Sequence, residues 1–168
     1  MVTPKVLIIG PSGSGKTSAL NAVARMHGVS STLDLDLLGN HPSPDDYSKW
    51  FLDVPSIRKL VESHNPLLAA GISTNVRSWI GLEWTHVIML LPDAELLEKQ
   101  GPARDKKQGR REVPAEQYAE WARLAELYFK DLPTNPNSKV IEVRYSNINK
   151  MITRVMGIYH ELFGARPL

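Results

Sequence analysis

The chain has 168 residues and a mass of 18.8 kDa, the size of a single domain. It contains no cysteine, which excludes a disulfide scaffold, a thiolate zinc site, an iron–sulfur cluster and a cysteine nucleophile. Its 20 basic and 18 acidic residues leave a formal charge of +2, too balanced for a protein that grips nucleic acid nonspecifically. No apolar run reaches the roughly 18–20 residues of a bilayer span. The short stretch before a glycine-rich loop at residue 10 leaves no room for a signal peptide, so a cytoplasmic location is expected.

Lys5 to Ile9 is a short apolar run ending at Gly10, the pattern of a buried strand. Lys16 to His27 places Ala19, Leu20, Val23, Ala24 and Met26 at helical spacing, and Gly28 ends it. Thr32 to Leu37 alternates with period two and predicts a second strand. Pro44 to His64 reads as helix, with Pro55 expected to break it into two pieces. Leu67 to Gly71 is a third strand, Asn75 to Gly81 a short helix, and His86 to Leu91 a fourth strand. A helix over Asp93 to Gln100 gives way to a polar stretch, residues 101–112, rich in Arg and Lys. Pro114 to Asp131 is a long helix, Val140 to Val143 a fifth strand and Asn147 to Phe163 a final helix. Strands alternating with helices predict an α/β fold: a five-stranded parallel sheet with helices on both faces. The whole chain, 1–168, reads as one domain, with a lid at about 101–113 and an acceptor-side insertion at about 38–64.

The segment Gly10-Pro11-Ser12-Gly13-Ser14-Gly15-Lys16-Thr17 matches G-x-x-x-x-G-K-[ST] throughout, and it lies between a predicted strand and a predicted helix. Glycines let backbone N–H groups curl around an anion, and the helix N-terminus adds partial positive charge. Lys16 is expected at the β- and γ-phosphates of a nucleotide, Thr17 at Mg²⁺, and Ser18 beside them in the first helical turn. This is a P-loop. Neither the third nor the fourth predicted strand ends in a carboxylate, and no N-K-x-D motif is present, which argues against GTPases and motors.

The carboxylates lie on the second strand instead. Asp34 and Asp36 follow Lys16 by 18 and 20 residues, and strict alternation would put both on one face. At the carboxyl edge of the sheet they would face the γ-phosphate. One acid there accepts a proton from an attacking hydroxyl, and either holds Mg²⁺ through water.

With the P-loop, the Asp34-x-Asp36 strand and a late basic segment, the chain resembles the small P-loop kinases: shikimate and gluconate kinases, polynucleotide 5′-kinases, and nucleoside or nucleotide kinases. The resemblance implies the P-loop NTPase fold with a lid, and ATP and Mg²⁺ as cofactors. It implies Asp34 as base or substrate ligand. Where the group carries its first lid arginine this chain has Gln100, and Arg104 takes the second position. Arg104 and Arg111 are the expected catalytic lid residues, with Arg110 next. After the third strand, Asn75 and Arg77 are expected to contact the acceptor, together with Asp36. His41, Tyr47, Trp50 and Phe51 fall in the insertion, where Trp50 and Phe51 are expected in the core. Tyr145-Ser146-Asn147 takes the place where these kinases hold adenine.

The reading that follows is an ATP-dependent kinase acting on a hydroxyl of a nucleoside-like acceptor, free or within DNA, a hydroxymethylated base in phage DNA being one example. In that case the location would be a host cytoplasm. A nucleoside monophosphate kinase clamping its acceptor with Arg77, a shikimate- or gluconate-type kinase, and an ATP-binding switch without transfer remain open. So does the oligomeric state.

Overall fold

A computed structural model describes residues 3–11, 14–27, 32–40, 51–64, 67–107, 109 and 113–164. The strands are β1 (Lys5–Ile9), β2 (Thr32–Asp34), β3 (Gly39–Asn40), β4 (Phe51–Leu52), β5 (Leu67–Ala70), β6 (His86–Pro92) and β7 (Lys139–Tyr145). The helices are α1 (Lys16–His27), α2 (Val54–Ser63), α3 (Ala94–Lys107), α4 (Ala115–Lys130) and α5 (Ile148–Phe163). The main sheet has the order β2-β5-β1-β6-β7, and all its pairings are parallel. β3 and β4 form a small antiparallel pair apart from it.

Alternation along the central strands builds two cores. Val6, Ile8, Leu68, Ala70, Ile88 and Leu90 pack against Leu20 and Val23 of α1 and Met151 and Val155 of α5. Leu7, Ile9, Leu67, Ala69, Val87 and Met89 face the other way, toward Ile57 and Val61 of α2, Trp79, Trp84 and Phe129 of α4. Near-continuous apolar strands are what a sheet covered on both faces requires. At the carboxyl edge β1 runs into Gly10, and β5 into Gly71.

Several expectations need correcting. The second strand stops at Asp34 rather than Leu37, and Leu35–Leu38 form a 3₁₀ turn. Asp34 Oδ1 accepts a hydrogen bond from the Asp36 N–H at 3.0 Å, an Asx turn that competes with the sheet ladder. Leu35 is fully buried while Leu37 is 78% exposed, so the Leu33/Leu35/Leu37 alternation does not mark one face. Secondly, Pro55 does not break a helix but sits in the first turn of α2, where a missing N–H costs nothing. Asp53 caps that helix, accepting from the Ser56 N–H at 3.1 Å. Phe51 lies in β4 and is 45% exposed, not in the core; His41, Tyr47 and Trp50 lie outside the described residues. Thirdly, α3 does not end at Gln100. It continues through Pro102 to Lys107. Gly101 explains the continuation: the Tyr118 ring of α4 sits so close that a Cβ there would stand 2.6 Å from it. The Tyr118 hydroxyl also donates to the buried Asp105 carboxylate, which holds the end of α3 on α4.

Candidate active site

Gly10, Pro11, Ser14, Gly15, Lys16, Thr17 and Ser18 form a loop and the first turn of α1 at the carboxyl end of β1; Ser12 and Gly13 lie outside the described residues. The Ser14 N–H donates to the Pro11 carbonyl at 3.1 Å, and the Ala19 N–H to the Gly15 carbonyl at 2.9 Å as the helix starts. Gly15 has φ +96°, a region that glycine alone enters without strain. It is also pressed against α5, where a Cβ would lie 2.8 Å from Met151 Cε. The Lys16 ammonium donates to the carbonyls of Gly10 at 2.7 Å and Pro11 at 3.0 Å. It thus lies folded over the loop it belongs to. Thr17 and Ser18 are exposed in the first turn.

A contact not foreseen from the sequence fixes this loop from the far side of the sheet. The Tyr145 hydroxyl, at the end of β7, donates to the Ser14 carbonyl. Ser14 is fully buried and Tyr145 only 9% exposed. Burial pushes the Tyr145 hydroxyl far above its ordinary pKa. The sequence signal was a tyrosine closing an alternating strand: its ring is buried, so its O–H must find a partner. Beside it, Glu142, Arg144, Tyr145, Ser146, Lys150 and Arg154 line a cleft of about 380 Å³ between β7 and the start of α5. Asn147 caps α5, accepting from the Lys150 N–H at 3.1 Å.

The acids lie on the other side of β1. Asp34 is in register with Ala70 of β5, and Ala70 with Ile8 of β1. Asp34 therefore stands two strand spacings, about 10 Å, from the strand that enters the P-loop. Asp36 follows in the 3₁₀ turn and is exposed. A Cβ at Gly71 would meet Leu35 Cβ at 2.8 Å and Asp36 Oδ1 at 3.6 Å, so glycine lets the acid-bearing turn close onto the end of β5. Both carboxylates are thus at the carboxyl edge, held there by a turn rather than by alternation.

Asn75 and Arg77, the expected acceptor contacts, both make contacts within the protein. The Asn75 amide clamps the backbone of Leu52: Oδ1 accepts from the Leu52 N–H at 3.0 Å and Nδ2 donates to the Leu52 carbonyl at 2.8 Å. Ser73 Oγ donates to the same Oδ1 at 2.6 Å and accepts from Trp79 Nε1 at 2.8 Å. Asn75 therefore ties the insertion to the loop after β5. The Arg77 guanidinium reaches the carbonyl of Asp131 at 3.4 Å and its carboxylate at 3.9 Å. Asp131 ends α4 on the way to the start of β7, so Arg77 points toward the opposite edge of the sheet. Arg104 lies within α3, its side chain outside the description, and Arg110 and Arg111 lie outside the described residues.

As to metal, the Thr17 hydroxyl and the Asp34 carboxylate are hard oxygen donors of the kind Mg²⁺ takes. Among the described residues no three His, Asp or Glu side chains gather into a cage. That donor set suits an ion carried mainly by phosphate oxygens and water.

No protein-family model matches the chain, and no curated protein matches it by sequence. Solved structures do. Shikimate kinase from Acinetobacter baumannii, in complex with shikimate, superposes with a TM-score of 0.57 at 16% identity, over 98% of this chain and 96% of that one. This chain has the small P-loop kinase fold. Thymidylate kinase from Candida albicans superposes with a TM-score of 0.55 at 12% identity, over 99% and 95% of the two chains. A gluconokinase from Sinorhizobium meliloti 1021 gives 0.52 at 14% identity, over 96% of each. At these identities the likeness establishes the fold, and the chemistry rests on the residues. No helix among the described residues is long and apolar enough to cross a membrane.

Proposed function

We propose that this protein is an ATP- and Mg²⁺-dependent kinase that transfers the γ-phosphoryl group to a hydroxyl of a nucleoside-like acceptor, free or within DNA. The observation that carries this reading is the position of Asp34 and Asp36 on the same sheet edge as the P-loop, two strands away. A phosphate acceptor needs no base; a hydroxyl does. The acceptor oxygen bonds to the γ-phosphorus as the bond to the β-bridging oxygen breaks, and Asp34 takes the hydroxyl proton. Lys16 turns from the loop carbonyls to the β- and γ-phosphates, and the loop N–H groups cradle them. Thr17 and Asp34 would hold Mg²⁺, which would neutralise charge on the triphosphate. Asp36, exposed beside Gly71, faces the acceptor. The cleft between β7 and α5 takes the adenine side of ATP. The lid function belongs to the arginines after Gly101, Arg104 and Arg111 foremost.

The test is transfer from γ-labelled ATP to separate pools of nucleosides, nucleotides, hydroxy acids, and DNA with normal or hydroxymethylated bases. Label is expected in nucleosides or in one of the DNA pools, and to vanish with Lys16→Ala. Label in nucleotides or hydroxy acids alone refutes the acceptor class. Binding of ATP with label in no pool refutes the kinase reading.

A further inference from the structure

Among the described residues three polar side chains are buried: Ser14, Ser73 and Asp105. Ser14 belongs to the phosphate loop, and Ser73 bonds to Asn75 and Trp79. Asp105 is the one left without a part in the site, and it is a carboxylate only 4% exposed. Ala103, Lys106 and Lys107 around it are exposed, so the segment as a whole is not buried. A carboxyl group taken out of water is costly, and a well-packed apolar side chain commonly serves stability as well or better.

The helix shows what Asp105 gives in return. Leu97, Gly101 and Asp105 follow one another at intervals of four, so they form one row along α3, and all three are buried. Leu97 packs with Tyr118 and Ala122 of α4. Gly101 leaves a slot for the Tyr118 ring, where a Cβ would stand 2.6 Å from three of its atoms. Asp105 accepts a hydrogen bond from the hydroxyl of that same tyrosine. The Trp121 ring meets Tyr118 nearly at right angles, with centroids 5.1 Å apart, so the ring is held in turn. A leucine at 105 would continue the apolar row. Apolar contact has no direction, however, and a ring lying on a glycine lets a helix slide and turn at little cost. A hydrogen bond weakens steeply as its angle opens. Asp105 therefore adds what packing alone does not, a fixed rotation of α3 about its own axis.

Arg104 depends on that rotation. Its Cα precedes that of Asp105 and lies about 100° around the axis. At the roughly 5–6 Å radius that side chains reach, a turn of about 20° shifts a group by about 2 Å. A misplacement of about 1 Å can slow a reaction about 10²-fold. We propose that Asp105 is a positioning residue for the lid. By holding the Tyr118 hydroxyl it sets the rotation of the last two turns of α3, and so the direction in which Arg104 leaves the helix toward the transferring phosphoryl group. This rests on the reading of Arg104 as a lid arginine given above.

Calorimetric titration with MgADP, alone and with aluminium fluoride as a stand-in for the phosphoryl group in flight, tests this without an acceptor. The parent is expected to bind the ADP–aluminium fluoride pair more tightly than ADP. The apolar replacement, Asp105→Leu with Tyr118→Phe, is expected to lose at least about tenfold in affinity for the pair while binding ADP as the parent does. It is also expected to melt no lower than the parent, since both polar partners are removed together. Stability kept while affinity for the pair falls is a split that a merely structural contact does not give. Asp105→Asn still offers Tyr118 an acceptor and is expected to keep most of the affinity. An apolar replacement that binds the pair like the parent overturns the proposal. So does one that melts lower and loses ADP as well, or an Asp105→Asn variant no better than the apolar replacement. Arg104→Ala separates the proposal from the reading beneath it, and is expected to lose the pair but not ADP. Parental affinity in Arg104→Ala refutes the lid reading and the proposal with it. Loss in Arg104→Ala but not in the apolar replacement refutes the proposal alone.

Discussion

Replacing Tyr145 by phenylalanine removes one oxygen atom and leaves the ring in place. The Ser14 carbonyl then loses its donor in a site water cannot reach, since Ser14 is fully buried. Leaving such a group unpaired costs about 1–3 kcal/mol. Taking about 2 kcal/mol, a domain of this size melts about 4–8 °C lower. The same bond holds the Pro11–Ser14 turn, whose own hydrogen bond is 3.1 Å long. Without it a smaller fraction of molecules has the loop ready for phosphate, and apparent ATP affinity falls by that fraction, about three- to tenfold. Burial keeps the Tyr145 hydroxyl protonated well beyond its usual range, so the loss is expected to be constant from about pH 6 to 9. Thermal unfolding followed by calorimetric titration with ATP measures both effects. A variant that melts lower yet binds ATP as tightly as the parent refutes the link between β7 and the loop. A variant unchanged in both refutes the bond.

Other substitutions probe neighbouring parts. Gly15→Ala meets a positive φ, worth about 1–2 kcal/mol, and the Met151 methyl at 2.8 Å; titration is expected to find ATP binding weakened more than tenfold. Asn75→Ala strips both partners from the buried Leu52 backbone, so stability is expected to fall by about 2–3 kcal/mol and the Leu52 amide to exchange faster with deuterium. His86 has its pKa lowered, first by burial and then by Lys139. The unfolded chain therefore takes up this proton first as pH falls. The stabilising contribution of neutral His86 is complete above about pH 6.5 and is lost as pH drops below that value. Denaturant titrations are expected to show His86→Gln with a flatter acid limb.

The parts read correctly from sequence are those whose cause is local. Lys5–Ile9, the glycine loop and the helix from Lys16 each depend on a few adjacent residues, and the parallel sheet follows from their repetition. The turn at Asp34 was missed because the same leucines satisfy two patterns; only the capture of the Asp36 N–H by the Asp34 carboxylate ends the strand. Asn75 follows a strand at the active edge, and that position is what suggests a substrate contact. The Leu52 backbone that it holds is 23 residues away, and no spacing rule points to it. Tyr145 and Ser14 are separated by 131 residues and meet only when the sheet is assembled. Helix α3 outran its predicted end because Gly101 and Pro102 stop helices in isolation, while a ring from α4 packed on the glycine rewards continuing.

That continuation bears on the lid proposed above. Residues 101–107 are helical before any ligand arrives, and Asp105 and Tyr118 tie them to α4. A floppy segment of that length would lose about 1–2 kcal/mol of conformational entropy for each residue it orders over the phosphates. Here folding has already borne that loss. On the reading proposed above, this part of the chain meets the phosphates as formed helix rather than as a loop that must first be ordered.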